Sequence, residues 1–383
     1  MIRKIIVLLA GMLVTVAVYA ADAQLRANHP DSYVVRRGDT LWDISAKFLS
    51  KPWLWPEIWQ ANPQVRNPHL IYPGDVLNLS FINGPRLTLQ PQVHAEGEAI
   101  PAIPLSELRM FLKEMRVMDS GAVSSAPYVV GLEEGQLRAT VGQNVYVRGL
   151  QGAPGQRWAI VRPTHQFRGY DQDDPDNADL VGHEIDSDAA MVTTPWHEDA
   201  RVSTQTMWSH DDVVHNTRGE DLGVEVSVIG TAETLRMGDP STLLLLDSTT
   251  EIRSGDRIMP IEDAPYDAFY YPHAPKSAPK NARVIAFADA MAAAGPRQVV
   301  ALSIGSKDGV DNGQTYSIYE PGENIHDDVA SNSWTRDLGK RVTLPDEYVG
   351  HVMVFRTFDR VSYGLVMDSL RPVEKGDRLR LPE

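Results

Sequence analysis

The chain contains no cysteine in its 383 residues. That removes thiol nucleophiles, disulfide frameworks, Cys-ligated metals and a lipidated N-terminal cysteine. Basic residues are the scarcer charge: 36 Lys and Arg stand against 51 Asp and Glu, a formal net charge of −15. A general electrostatic attraction to nucleic acid is therefore not expected. Catalytic signatures are missing as well, with no HxH or HExxH pair for zinc and no GxSxG elbow. Ser277 and Lys280 fit SxxK by spacing alone, with Pro279 between them. Long hydrophobic runs are absent too. An uncharged apolar stretch from Ile5 to Val18 follows Arg3 and Lys4; it falls short of the about 20 residues a membrane helix needs but suits a signal-peptide core. Residues 1–23 are expected to be a signal peptide, cleaved after Ala20 or Ala23, and the mature protein to be periplasmic.

What the chain does have is concentrated between Tyr33 and Leu79. Tyr33, Val34 and Val35 read as a short strand. Arg37-Gly38-Asp39-Thr40 makes a turn, with Asp39 or Thr40 as N-cap of a helix whose apolar stripe is Leu41, Trp42, Ile44 and Phe48. Pro52 breaks that helix, and Pro56 suits the first turn of a second one carrying Ile58 and Trp59. Asn62-Pro63 ends it. Tyr72-Pro73-Gly74-Asp75 then turns into a closing strand, Val76 to Leu79. The order is β-α-α-β. Trp53, Trp55 and Trp59 enlarge either the core or a contact surface, and the pattern leaves both open.

The words at these turns (GDTLWDIS, then NP, then IYPGDVLNL) resemble the LysM module. The resemblance implies a small α+β domain over residues 31–83 that binds the N-acetylglucosamine-containing glycan of peptidoglycan or chitin. Its groove lies between the first strand–helix loop and the last helix–strand loop. Carried over by position, one wall is Gly38, Asp39, Thr40, Leu41 and Trp42, and the other is Asn67, Pro68, His69, Leu70, Ile71 and Tyr72. Loops on a rigid scaffold supply amide partners for N-acetyl groups and an apolar ledge for a sugar face. Peptidoglycan is anionic like this chain, so binding would rest on hydrogen bonds and stacking.

Residues 84–103, with Pro85, Pro91 and Pro101, read as a Pro-rich linker. Leu105, Leu108, Leu112 and Met115 then recur at helical spacing, which predicts a short amphipathic helix ending before Asp119. The rest reads as β and contains an internal duplication. Gly155-Gln156…Trp158-Ala159-Ile160…Pro163 lines up with Gly313-Gln314…Tyr316-Ser317-Ile318…Pro321. Asp247-Ser248…Gly255-Asp256-Arg257 lines up with Asp368-Ser369…Gly376-Asp377-Arg378. This divides the body into a first β-rich unit, 104–263, a linker, 264–282, and a second unit, 283–383. Asp256, Arg257, Asp377 and Arg378 are expected at turns, as surface pairs. The acidic insert at 171–179 lacks the turn glycine and closing glutamate of a calcium loop. His197, Glu198, Asp199, His210, Asp211, Asp212 and His215 match no ligand spacing. No metal and no cofactor are expected.

The order of parts (signal peptide, one LysM, Pro-rich linker, repeated β body) resembles the TsaP family of secretin-associated proteins of type IV pili, whose C-terminal part is similar to the flagellar FlgT proteins. It implies a non-enzymatic adaptor associated with cell wall and outer membrane, with LysM on peptidoglycan and the body on the outer-membrane secretin, resisting pilus retraction in twitching motility. An oligomeric ring around the secretin is left open. Two other readings stay open: a peptidoglycan hydrolase or hydrolase activator targeted by LysM, since a glycosidase needs only two carboxylates, and a flagellar-type ring component.

Overall fold

The computed structural model describes residues 24–60, 71–81, 85–89, 103, 108, 111, 115–133, 136–169, 191–195, 220–261, 270–279, 282–288, 293–326 and 341–382. The signal peptide, Asn67 to Leu70, the acidic insert and His197, His210 and His215 lie outside them. The chain divides into two compact units, Met1–Ile100 and Pro101–Glu383. Among the described residues no helix is long and apolar enough to cross a membrane.

In the first unit, β1 (Ser32–Val34) leads to α1 (Leu41–Phe48). Thr40 caps α1 through a reciprocal box: its Oγ1 accepts the Asp43 amide at 3.1 Å, and Asp43 Oδ2 accepts the Thr40 amide at 3.3 Å. A 3₁₀ turn at Pro52–Leu54 then runs into α2 (Trp55–Gln60). The strand β2 (Val76–Phe81) pairs antiparallel with β1, Val34 opposite Val76. Trp53 and Trp55 are buried, and Trp53 stacks on Trp42 with ring centroids 6.5 Å apart. The added tryptophans described here therefore enlarge the core. At its start, the unit also extends before the expected boundary, with Leu25 bridging Leu49 and the Arg26 amide donating to Phe48.

The segment read as a linker from residue 84 opens with a third strand. β3 (Pro85–Leu89) pairs with β2, Leu79 opposite Leu87, and Leu87 is buried. Pro85 is tolerated because it is the first residue of an edge strand, where its missing N–H breaks no ladder.

The second unit is mainly β. Its first part contains β4 (Met115–Met118), α3 (Ser120–Ser125), β5 (Tyr128–Leu132), β6 (Asn144–Arg148), β7 (Arg157–Gly169), β8 (Met191–Pro195), β9 (Glu220–Arg236), β10 (Ser241–Ser248) and β11 (Arg257–Pro260). The strands β9-β10-β6-β5-β11-β7 close on themselves through a β7–β9 pairing, so they form a ring without free edges. Its second part contains β12 (Val284–Phe287), β13 (Val299–Leu302), β14 (Thr315–Glu320), β15 (Asn324–His326), β16 (Arg341–Thr343), β17 (Glu347–Thr357), β18 (Ser362–Ser369) and β19 (Arg378–Arg380). There β12-β13-β18-β17-β14-β19 is a six-stranded sheet of the same connectivity, closed by a bridge between Arg283 and Arg378. The closing bonds repeat: Val129 donates to Asp256 and Gly255 to Val129 in one ring, Val284 to Asp377 and Gly376 to Val284 in the other.

Three expectations change here. Met115–Met118, read as the end of a helix, is a strand on β9 with alternating burial. Met115 and Val117 pack into the core, while Arg116 and Met118 are half-buried on the opposite face, where Met118 packs against a second apolar cluster that includes Val123 and Val161. The 264–282 segment is held where it is described: Tyr270 is buried and His273 bridges Gln314. The turn aspartates are not surface pairs. Asp256 and Asp377 are each 2% exposed, and each accepts the amide that opens its own turn.

Candidate glycan-binding site

A short turn containing glycine and aspartate opens the first wall of the expected groove, and another follows the second wall at Tyr72. In Arg36-Arg37-Gly38-Asp39 the Asp39 amide donates to the Arg36 carbonyl at 3.1 Å, and Asp39 Oδ2 accepts the Arg36 amide at 2.8 Å. In Tyr72-Pro73-Gly74-Asp75 the same two bonds measure 3.0 and 2.8 Å. Both need positive φ at the glycine, +91° at Gly38 and +103° at Gly74, which a side chain would strain. The turns are brought together because Val35 exchanges bonds of 2.8 Å with Asp75 and Gly74. Gly38, Pro73 and Gly74 are exposed there, and Tyr72 is half-buried.

The side chains divide sharply. Leu41, Trp42 and Ile71 are buried in the core, and Thr40, 4% exposed, spends its hydroxyl on the cap. At these four positions the loop offers backbone rather than side chain to a ligand. Asp39 accepts from the Tyr33 hydroxyl at 2.9 Å as well as from Arg36. Burial and the Asp39 carboxylate push the Tyr33 phenol above its usual range, so it stays a donor. Lys47 lies 5.2 Å over the Tyr33 ring and holds its face. Asn67, Pro68, His69 and Leu70 lie outside the described residues.

Pro73 and Gly74 were not read as site residues from the sequence. The signal was present, since both walls are written with the same Gly-Asp turn word and the structure sets them side by side. A rigid, exposed pair of turns flanked by Tyr72 can present amide groups and one aromatic edge, the chemistry that an acetamido sugar needs.

Residues 33–80 match the LysM domain. The chain is also similar to "Uncharacterized protein YqbP" of Bacillus subtilis (strain 168), 37% identical over 60 residues, with 13% of this chain and 27% of that protein covered. The chain thus spans about a quarter of the relative it matches, and the likeness bears on the module alone. A capped first helix, the two Gly-Asp turns and the paired outer strands give that match its physical content, and they identify the N-terminal unit of this chain as carrying a LysM domain, a module that binds peptidoglycan glycan strands.

Proposed function

We propose that the chain is a non-enzymatic periplasmic adaptor in which LysM holds peptidoglycan and the β body binds the outer-membrane secretin of the type IV pilus machinery. The observation that carries this reading is the division into two compact units, with the wall-binding module confined to the first. A protein so divided has a separate body free to engage another partner. The resemblance of the order of parts to the TsaP family is what points this reading to the secretin. Within LysM we place the glycan against the backbone of Gly38 to Trp42 and of Ile71, the ring of Tyr72 and the turn through Gly74, together with Asn67 to Leu70.

A pull-down from detergent-solubilised envelopes tests the reading. The full chain and a chain beginning at Pro101 should both retain the secretin, and the full chain alone should carry wall fragments. Retention of no secretin by either, with loss of turbidity from added sacculi, would replace the adaptor by a hydrolase.

A further inference from the structure

The two rings correspond residue by residue. Val129–Val147, Gly131–Tyr146 and Leu132–Val145 in the first match Val284–Leu302, Ala286–Ala301 and Phe287–Val300 in the second, including a bulge at the same place. The β9–β10 and β17–β18 ladders also shift register at matching points, which sets Leu235 against Phe355.

The correspondence exposes an asymmetry. On the second ring, Ile285 and Phe355 are fully buried, in one cluster with Phe167 and Leu222 from the β7–β9 ribbon that extends out of the first ring. Arg356 donates to the Phe111 carbonyl at 2.9 Å in the same contact. On the first ring the matching positions are Val130 and Leu235, 41% and 49% exposed, with Arg236, also exposed, in place of Arg356. The ribbons show the reverse. Equally far beyond the Arg162–Ser227 pair and the Glu320–Glu347 pair lie Phe167 and Leu222 in one copy, Ile325 and Val342 in the other. Ile325 and Val342 are cross-strand neighbours in the β15–β16 ribbon and are 41% and 43% exposed. Among the described residues, each chain therefore carries one ribbon whose apolar pair is exposed and one ring face whose apolar pair is exposed.

We propose that the chain associates head to tail with further copies of itself. The β15–β16 ribbon of one copy packs through Ile325 and Val342 onto the outward face of the first ring, at Val130 and Leu235, of the next. The contact repeats between chains what β7–β9 makes with the second ring inside one chain. Because the two surfaces differ, the interface is heterologous and propagates until it closes into a ring or continues as a filament.

Sedimentation of the full chain over a dilution series, with Val342→Asp and Leu235→Asp, tests this. Both side chains are exposed, so unchanged melting temperatures should show that the variants fold. The unmodified chain should form concentration-dependent multimers, and each variant alone should be monomeric. An equimolar mixture of the two variants should stop at a dimer, since one intact ribbon meets one intact face. A monomeric unmodified chain, a mixture that stays monomeric, or a mixture that grows beyond dimers overturns the proposal.

Discussion

At Arg36–Asp39, Tyr72–Asp75, Arg253–Asp256 and Glu374–Asp377 an aspartate accepts the amide three residues before it, at 2.8, 2.8, 2.8 and 2.9 Å. Glutamine does the same for Thr140 through Gln143 and for Gly295 through Gln298, at 2.8 and 2.6 Å. The device needs only a short side-chain acceptor after a tight turn, so it says nothing of catalysis. Its surroundings differ between the rings. Arg162 binds Asp256 in a fork, 2.8 Å from Nε to Oδ1 and 2.9 Å from Nη2 to Oδ2. The matching residue in the second ring is Glu320, which is engaged by Arg371 at 2.8 Å. Burial, with Glu374 and Glu320 nearby, therefore raises the Asp377 carboxyl to about 7; the Glu374 amide and Arg283 oppose the rise. Arg283 donates to the Gly376 carbonyl at 2.8 Å, and Lys375 lies over Phe287.

A carboxyl raised in the folded state binds more protons there than in the unfolded chain, where it titrates near 3.9. Its destabilising effect is therefore absent below about pH 4. The effect grows as pH rises toward about 7 and is complete above that. Asp377→Asn should raise the melting temperature at pH 8 and leave it nearly unchanged at pH 4. Asp256→Asn should lower it at pH 8, because half of a buried fork is lost, at about 3–5 kcal/mol. Melting curves of both variants at the two pH values check this; a shift of the same sign at pH 8 in both would contradict the account.

At the scale of elements, the LysM words could be read because each turn states its own geometry. Gly38-Asp39-Thr40 specifies a positive φ, a carboxylate acceptor and a cap, and all three are present. Thr40→Ala should cost about 1 kcal/mol of stability through the lost cap. Trp53→Ala should cost about 3–5 kcal/mol, since it empties a buried ring site against Trp42. Denaturant titration of the full chain, followed by tryptophan fluorescence, measures both. Other elements were not legible for physical reasons. β3 opens on Pro85 in Pro-rich surroundings, and only its neighbour β2 makes it a strand. Met115–Met118 carries both helical spacing and strand alternation, and pairing with β9 decides between them. The burial of Leu41, Trp42 and Ile71 was also hidden, because a site carried over by position does not say which way a side chain faces.

At the scale of the whole molecule, the two rings are joined by polar as well as apolar contacts. Glu225, fully buried in the first ring, accepts from Thr164 and from Tyr363 of the second, each at 2.6 Å. Burial and the adjoining Glu225 carboxylate push the Tyr363 phenol well above its usual range, so it remains a donor. Satisfied buried polar pairs of this kind fix one packing of the two rings. The repeated sequence words showed that two like units existed. They did not show that the units share a core, because Phe167 and Phe355 meet only through the ribbon that carries one onto the other. The body from Pro101 is thus a single compact unit, and the proposed assignment of wall binding is to LysM.

Co-sedimentation with purified sacculi tests that assignment most directly, using the full chain, its Tyr72→Ala variant and a chain beginning at Pro101. The account predicts that the full chain pellets with sacculi at high as well as low salt, that Tyr72→Ala pellets weakly while melting as the unmodified chain does, and that the chain from Pro101 stays in the supernatant. Pelleting of the chain from Pro101 as fully as the whole protein would place wall binding in the body and contradict the account.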